Sequence, residues 1–216
     1  MSLLDEINRS TIEGDGDKVE EFTRQALDQG VEVKTILNEG LIAAMDVVGQ
    51  RFESGELFIP EMLIAAEAMT RGLNVLRPLF AESGIKPQGT VVIGTIKGDV
   101  HDIGKSLVSM MMGGAGFKMI DLGVDVSPEQ FVKLVKEEEA QLVGMSALLT
   151  TTLPSMKATI DALEEAGLRD KVKTLIGGAP VTQEYADKIG ADGYAPDAAR
   201  AVKKAKELVQ ALVASG

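Results

Sequence analysis

The chain contains no cysteine and no tryptophan. Without cysteine it cannot form a disulfide framework, an iron–sulfur cluster or a thiolate metal site. It has one histidine, His101, so a metal held by the protein has a single imidazole to draw on. Aromatic residues make up only 4% of the sequence, so aliphatic and methionine side chains must fill the interior.

Long apolar runs and an excess of positive charge are also missing. No apolar stretch approaches the length of a membrane span, and Met1–Glu6 carries acidic residues where a signal peptide carries basic ones. We therefore expect no membrane association and a cytoplasmic location. The formal net charge of -11, with no basic stripe and interleaved aromatics, argues against nucleic acid as a partner.

The first part of the chain has the apolar spacing of helices. From Leu3 to about Ser83 we find no strand-like alternation of β-branched residues. Asp15 or Asp17 is suited to cap a helix that closes at Gly30. The pattern predicts an all-α domain of four helices.

The domain boundary is predicted where the pattern of apolar residues along the chain changes. A segment with glycine, proline and polar residues at 81–89 is typical of a linker, so we predict a helical domain at 1–84 and a second domain at 85–216. In the second domain, short apolar runs of strand length alternate with helical segments. The predicted strands are Thr90–Thr95, Lys118–Leu122, Leu142–Ser146, Thr174–Ile176 and Asp192–Ala195.

This β–α repeat predicts a parallel sheet covered on both faces, because its strands are continuously apolar. Five strands favour the flavodoxin-like (Rossmann-type) doubly wound order, which binds ligands at the carboxyl ends of the strands. The loops after the first, third and fourth strands are therefore the expected site. The predicted helices are Ile103–Gly114, Pro128–Glu138, Leu153–Ala166, Val181–Ile189 and Asp197–Ala214.

The loop after the first predicted strand contains His101. Asp99 lies two residues earlier, so in an extended loop its carboxylate can accept the imidazole N–H and leave the other ring nitrogen free for a metal. Gly98 and Gly104 allow a ligand to approach the backbone closely. A lone histidine in a surface loop without a ligand is the alternative, and the spacing alone leaves both open.

Three other ligand-binding loops fit less well. Residues 98–106 resemble a phosphate-binding loop, but five residues separate the two glycines where that motif needs four, and Asp99 and Asp102 would repel phosphate. A phospho-acceptor receiver domain needs aspartate at the end of the third strand, where this chain has Ser146. A flavodoxin needs a hydroxyl-rich loop and aromatics around the flavin, and neither is evident.

Four motifs carry a resemblance to a known family. Asp99-x-His101-x-x-Gly104 resembles the signature of cobalamin-binding domains that hold the cofactor base-off and His-on. Residues 144–152, GMSALLTTT, resemble that family's Ser-x-Leu loop, and residues 177–179, GGA, resemble its Gly-Gly motif. Residues 48–62, VGQRFESGELFIPEM, resemble the cap of cobalamin-dependent methionine synthase and of small corrinoid proteins. The resemblance covers nearly the whole chain.

The resemblance implies a cofactor and its contacts. The cofactor is cobalamin (methylcobalamin or cob(I)alamin) or a related corrinoid, with His101 as the lower axial cobalt ligand and Asp99 and Thr152 supporting that ligand. Phe52 and Ile59 of the helical cap would contact the upper face, although core filling is the alternative for each. The remaining cofactor-binding residues that it implies are Gly98, Val100, Asp102, Ile103, Gly104, Ser146, Leu148, Thr150, Gly177, Gly178 and Ala179. For the glycines, turn and packing roles are the alternative, and for the threonine-rich stretch it is capping of the next helix.

The resemblance also implies a function. A corrinoid methyl carrier, not catalytic alone, accepts a methyl group on cobalt(I) through one methyltransferase and donates it from methyl-cobalt(III) to tetrahydrofolate or a thiol through another. Expected partners are a substrate-specific methyltransferase, an acceptor methyltransferase and a reductive activase, with the linker at 84–89 as a hinge for the cap. A cobalamin-dependent sensor is the alternative, although we see no output domain. Methanol, methylamines, betaines and methoxylated aromatics stay open as donors.

Overall fold

The computed structural model describes residues 2–80, 83 and 86–215, without the side chain of the last of these. The chain forms two compact units. The helical unit ends at Lys86 and also includes Gly113–Gly116, and the sheet unit comprises the remainder from Pro87 onward. The predicted boundary between residues 84 and 85, and residues 81, 82, 84 and 85 of the predicted linker, lie outside the described residues.

Four helical segments make up the described part of the helical unit, as the apolar spacing predicts. The third segment is continuous, but its middle is a π-helix between two α-helical parts. The segments are α1 (Leu3–Glu13); α2 (Gly16–Asp28); α3 (Val33–Thr35), the π-helix Ile36–Ile42 and α4 (Ala43–Glu53); and α5 (Ile59–Leu76) with the 3₁₀ turn Arg77–Leu79.

Local sequence signals set the ends of these helices. The Asp15 carboxylate accepts the N–H of Lys18 at 3.2 Å and so caps α2, as predicted. Gly30, with φ of 77°, ends the turn after α2 and donates its N–H to the Leu27 carbonyl. Pro60 lies in the first turn of α5, where the missing N–H costs no helical hydrogen bond.

The sheet unit is a five-stranded, all-parallel sheet with the order β2-β1-β3-β4-β5. This is the predicted flavodoxin-like order, and each predicted strand and helix is found within two residues of its predicted ends. The strands are β1 (Thr90–Thr95), β2 (Lys118–Asp121), β3 (Leu142–Ser146), β4 (Lys173–Gly177) and β5 (Gly193–Ala195). The helices are α6 (Ile103–Gly114), α7 (Pro128–Glu137), α8 (Pro154–Glu165), α9 (Gln183–Ile189) and α10 (Ala198–Ser215).

The core of the sheet unit explains why the strands read as continuous apolar runs. All six residues of β1 are buried, because helices cover both faces of a parallel sheet. Fully buried Phe131, Met156 and Leu163 pack in one apolar cluster with strand residues such as Val92. None of the described helices is long and apolar enough to span a membrane.

Candidate functional site

The carboxyl ends of the three central strands lie level with one another. Thr95 of β1 pairs in register with Ser146 of β3, which in turn pairs with Gly177 of β4. The chain leaves the sheet in loops at these positions, and the Ile96 N–H still bonds the Ser146 carbonyl at 3.1 Å. The loops after β1 and β3 therefore meet at one edge of the sheet, as the predicted topology requires.

Asp99 is the centre of the contacts between these two loops. Its side chain is fully buried and its two oxygens accept hydrogen bonds from both loops. Oδ1 accepts the backbone N–H of His101 at 3.0 Å and its ring Nδ1 at 2.7 Å. Oδ2 accepts the backbone N–H groups of Leu148 at 2.7 Å and Leu149 at 3.0 Å. One carboxylate thus joins the β1 loop to the β3 loop.

The charge state of Asp99 follows from these bonds. Burial alone would raise the pKa of its carboxyl, because a charge is costly in a dry environment. The N–H groups of Leu148 and His101, the His101 ring and the Leu149 N–H outweigh that effect and hold the pKa well below its usual range. Asp99 is therefore an ionised group that can only accept hydrogen bonds.

The imidazole of His101 is fixed by this carboxylate. Because an ionised carboxylate donates nothing, Nδ1 carries the proton, and the lone pair of the neutral ring lies on Nε2. The buried Thr95 hydroxyl donates to the His101 carbonyl at 2.9 Å and holds the main chain as well. The side chain is 48% exposed and Asp99 bonds its Nδ1, which leaves Nε2 as the nitrogen for a ligand.

A metal at this position must bring most of its own ligands. Among the described residues, no group of three or more histidine, aspartate or glutamate side chains could hold a metal ion. One neutral imidazole nitrogen is an axial ligand and not a cage. The donor set therefore suits a metal already coordinated by a macrocycle.

Thr152 lies within reach of Asp99, as the resemblance implies. Its Oγ1 is 3.3 Å from Asp99 Oδ2 but only 2.8 Å from the Leu149 carbonyl. A hydroxyl has one hydrogen, so the shorter bond to Leu149 holds it and the bond to Asp99 is the weaker of the two. The structure brings the three residues of the implied histidine–aspartate–threonine chain together.

Exposed apolar side chains lie in the two loops that Asp99 joins. Val100 is 68% exposed and Ile103 is 84% exposed in the segment that follows β1. Leu148 and Leu149, after β3, are 45% and 41% exposed. Exposed apolar side chains grouped in neighbouring loops mark a ligand surface better than scattered ones do. We call these four side chains the apolar rim, and their exposure suits a largely apolar ligand.

The predicted glycines differ in whether the surrounding protein leaves space for a Cβ. A Cβ on Gly178, with φ of 123°, would lie 1.8 Å from the Ala147 carbonyl oxygen, and one on Gly177 would lie 2.9 Å from the Ala195 oxygen. The chain itself therefore requires glycine at both positions. A Cβ on Gly104 would meet nothing within 4 Å, so packing within the protein gives no reason for glycine there.

The other predicted binding residues lie on the same edge or close to it. Asp102, Thr150 and Ala179 are exposed, and Ser146 is half-buried at the end of β3. The alternative role of the threonine-rich stretch as a helix cap is wrong, because Leu153 stands at the N-cap of α8 and no side chain caps it.

The sequence reasoning missed Asp125, which lies in the loop after β2 and has φ of 54°. Its Oδ1 accepts the Gly98 N–H at 2.8 Å and its Oδ2 accepts the Lys97 ammonium at 3.2 Å. These bonds, the Gly98 N–H first, lower the pKa of its carboxyl. No motif in the sequence marks Asp125, and the expected site comprised only the loops after the first, third and fourth strands.

Methionines and other apolar residues outside these loops differ in how deeply they are buried. Met111 and Met112 are buried, whereas Met110 is 37% exposed. In the helical unit Phe52 is half-buried, while Phe58 is 66% and Ile59 is 49% exposed. Core filling is therefore not the role of Ile59 within that unit.

Two family profiles match the chain, both described as B12 binding domains, at residues 89–203 and 3–77. The chain belongs to the B12-binding corrinoid proteins. Its cofactor is accordingly cobalamin or a related corrinoid. It is 49% identical over 209 residues to the dimethylamine corrinoid protein of Methanosarcina barkeri, and the match covers 96% of this chain and 97% of that protein.

Solved structures of corrinoid proteins agree with this assignment. A cobalamin-binding protein from Desulfitobacterium hafniense superposes with a TM-score of 0.80 at 32% identity, over 95% of this chain and 98% of that one. A chain of the methanol:cobalamin methyltransferase complex from Methanosarcina barkeri superposes with a TM-score of 0.84 at 32% identity, over 96% of this chain and 80% of that one. The helical region followed by a parallel five-stranded sheet is thus the fold of known cobalamin-binding proteins.

Proposed function

We propose that this corrinoid protein is a methyl carrier in a methylated-amine methyltransferase system. The carrier role follows from similarity over nearly the full length to corrinoid proteins named for dimethylamine. A corrinoid chain similar to this one also occurs in a methanol:cobalamin methyltransferase complex. The names of these relatives point to methyl transfer and so favour the carrier over the regulatory alternative.

The observation that carries the proposal is the Nε2 of His101, which Asp99 leaves for a ligand, together with the apolar rim. We assign His101 as the lower axial ligand of cobalt in the base-off, His-on mode. When bound, the cobalamin supplies a cobalt centre that can take up a methyl group and give it away. The chain's own part is to hold and orient this centre.

Each group around His101 has a separate task in that role. Asp99 fixes the imidazole and keeps the proton on Nδ1, as a carboxylate behind a metal-ligating histidine does. Val100, Ile103 and Leu148, which are exposed in or beside the loops after β1 and β3, would cover apolar parts of the bound corrin and exclude water from it. Gly104 leaves room for the displaced nucleotide tail, since no protein atom occupies the place of its Cβ.

The partners follow from the same role. A carrier has no active site for the donor, so a substrate methyltransferase must deliver the methyl group and an acceptor methyltransferase must remove it, to tetrahydrofolate or a thiol. A reductive activase restores the centre after oxidation. Contacts of Phe52 and Ile59 with the corrin's upper face remain a prediction from the resemblance.

The ligand assignment is tested by the visible spectrum. The protein is refolded with hydroxocobalamin, and its spectrum is compared with that of His101→Ala loaded in the same way. We expect both proteins to bind the cofactor but only the wild type to show the bands of axial nitrogen ligation. Identical spectra would show that His101 does not bind cobalt, and a folded protein that stays colourless would end the proposal.

The donor is tested with candidate methyltransferases. The loaded and reduced protein is mixed with a dimethylamine methyltransferase and dimethylamine, and formation of the methylated cofactor is followed by absorbance. Monomethylamine and methanol, each with its own methyltransferase, serve as comparisons. Dimethylamine should methylate the carrier fastest, and a clear preference for methanol would exclude the amine donor while keeping the carrier role.

A further inference from the structure

The contacts of Asp99 explain how its side chain is held but not how the main chain of its loop is held. The segment Lys97–Asp99 lies between the end of β1 and His101 and includes Gly98, whose φ of 85° lies in the left-handed region. Glycine has the greatest conformational freedom, so a fixed loop here needs bonds from outside the segment. Any rotation of this segment moves the Asp99 carboxylate and the imidazole together.

Three of those outside bonds come from one residue of the β2–α7 loop, Asp125, and a fourth comes from the Ser155 hydroxyl of α8, which donates to the Lys97 carbonyl at 3.2 Å. Asp125 bonds three consecutive residues: its carboxylate accepts the Gly98 N–H and the Lys97 ammonium, and its own N–H donates to the Asp99 carbonyl at 2.9 Å. The bond to Lys97 joins two exposed side chains and is worth little. The two bonds to the backbone of Gly98 and Asp99 are therefore the means by which Asp125 holds the segment.

Asp125 is itself held in place through the next residue of the chain, Val126. Ile96 and Val126 form a parallel bridge, and the Val126 N–H donates to the Thr95 carbonyl at 3.0 Å. The backbone of Asp125 adopts φ of 54°, a conformation that costs energy for any residue other than glycine and that aspartate tolerates better than most. A fixed and unfavourable conformation that directs three bonds at one loop indicates a positioning role.

We propose that Asp125 is a positioning residue for cobalt ligation: by fixing the backbone of Lys97–Asp99, it sets the direction in which His101 presents Nε2. This inference rests on the proposed ligation by His101. Asp125 bonds Lys97, Gly98 and Asp99 and not the imidazole. It acts through the loop that carries both Asp99 and His101.

Three substitutions separate the bond from the backbone conformation. Asp125→Ala removes the acceptor and leaves the unfavourable φ. Asp125→Gly removes the acceptor and makes that φ easy, so it tests the bond alone even where the alanine variant folds poorly. Asp125→Asn keeps an oxygen that can accept the Gly98 N–H and is itself tolerant of positive φ.

Glu139 provides a matched control. It is the other described non-glycine residue with positive φ, at 47°, and it lies exposed in the turn before β3, at the amino end of the strands. Glu139→Ala introduces the same side chain into the same kind of backbone far from the loop. It should leave the spectrum of the loaded protein unchanged.

The readout is the fraction of bound methylcobalamin with nitrogen on cobalt, from the absorbance spectrum, with His101→Ala as the reference for none. We expect Asp125→Ala and Asp125→Gly to raise the ratio of unligated to ligated cofactor roughly tenfold, the effect of losing one hydrogen bond to a charged group. Asp125→Asn should restore a spectrum close to wild type. Circular dichroism verifies that each variant is folded.

The outcomes distinguish this inference from the function on which it rests. A His101→Ala spectrum equal to wild type would contradict ligation itself. If His101→Ala differs from wild type while Asp125→Gly does not, ligation stands and the positioning role is wrong. A shift in Glu139→Ala as large as in Asp125→Ala, or an Asp125→Asn spectrum like that of Asp125→Ala, would also overturn the role.

Discussion

At the scale of single residues, the site depends on one buried charge with many donors. Asp99 accepts from the His101 backbone and ring and from the N–H groups of Leu148 and Leu149, while Thr152 approaches at a longer distance. A carboxylate with this many donors is stable when buried because the bonds replace water. The residue that orients the imidazole thus also holds two loops together.

Replacing this charge should destabilise the protein even without cofactor. In Asp99→Asn the side-chain amide faces N–H groups that need an acceptor, so at least one buried donor loses its partner. We expect the free energy of unfolding of the cofactor-free protein to fall by about 2–3 kcal/mol, measured by urea denaturation. Asp187→Asn, at an exposed position on α9, should change it by less than about 0.5 kcal/mol. Equal effects of the two would contradict the central role of Asp99.

Substitution by alanine should have opposite effects on stability at two glycines of the site. Gly178→Ala would drive a Cβ into the Ala147 carbonyl at a φ that alanine avoids, so it should cost more than about 2 kcal/mol. Gly104→Ala meets nothing and lies in the first turn of α6, where alanine favours the helix, so the cofactor-free protein should be as stable as wild type or up to about 1 kcal/mol more stable. Urea denaturation measures both.

Cofactor binding then decides what Gly104 is for. If it leaves room for the tail, Gly104→Ala should bind hydroxocobalamin at least about tenfold more weakly although it is no less stable, a difference of 1.4 kcal/mol. Equilibrium titration followed by absorbance gives the affinity. If Gly104→Ala binds hydroxocobalamin with wild-type affinity, Gly104 does not serve to leave room for the tail.

At the scale of elements, the parallel strands fix where the loops meet, and polar groups fasten the ends of the strands. Asp192, just before β5, is mostly buried and accepts the N–H and hydroxyl of Thr174 in β4, both at 2.8 Å. It also pairs with Arg169 at 2.7 Å, in the turn that leads to β4. One aspartate thus fastens the edge strand β5 to β4.

Because Asp192 is ionised, its contribution to the free energy of unfolding depends on pH. Burial raises the pKa of its carboxyl, but Arg169 and Thr174 outweigh burial and the folded pKa lies below the usual value. The ionised Asp192 carboxylate therefore stabilises the folded state fully above the pKa of about 4 that an aspartate has in the unfolded chain. This stabilisation is lost as the pH falls through the lower pKa of Asp192 in the folded state. Asp192→Asn should cost about 2 kcal/mol at pH 7, and the difference from wild type should narrow below about pH 4.

Urea denaturation of wild type and Asp192→Asn between pH 3 and pH 7 measures this difference. Asp170→Asn, exposed and next to Arg169, is the control for a charge change nearby. A gap between wild type and Asp192→Asn that is constant over the whole range would mean that the charge of Asp192 does not matter.

At the scale of the whole molecule, the proposed site at the carboxyl ends of the strands lies in the sheet unit, so cofactor binding should stabilise that unit. A ligand that binds only the folded state at a hundred times its dissociation constant adds about 2.7 kcal/mol to the free energy of unfolding. Much of this should come from the nucleotide tail if the tail is buried in the protein. Cobinamide, a corrinoid without the tail, should therefore stabilise far less at the same concentration.

Scanning calorimetry with hydroxocobalamin and with cobinamide tests this expectation. The thermal transition of the sheet unit should move upward with the first ligand and only slightly with the second. Equal shifts with both ligands would show that the tail makes no net contribution, which would contradict the base-off mode.

The sequence by itself determined the helical first part, the strand order and the Asp99-x-His101 pair, because periodicity and spacing are local properties of the chain. Only the tertiary structure decided which residues outside the motif support His101. Leu149 and Asp125 reach Asp99 and its loop across 50 and 26 residues of chain, through a sheet that sets β1 between β2 and β3. The same is true of Gly178, whose need for glycine comes from the Ala147 carbonyl of a neighbouring loop. No local pattern encodes such contacts, since they exist only once parallel strands bring distant loops to one edge.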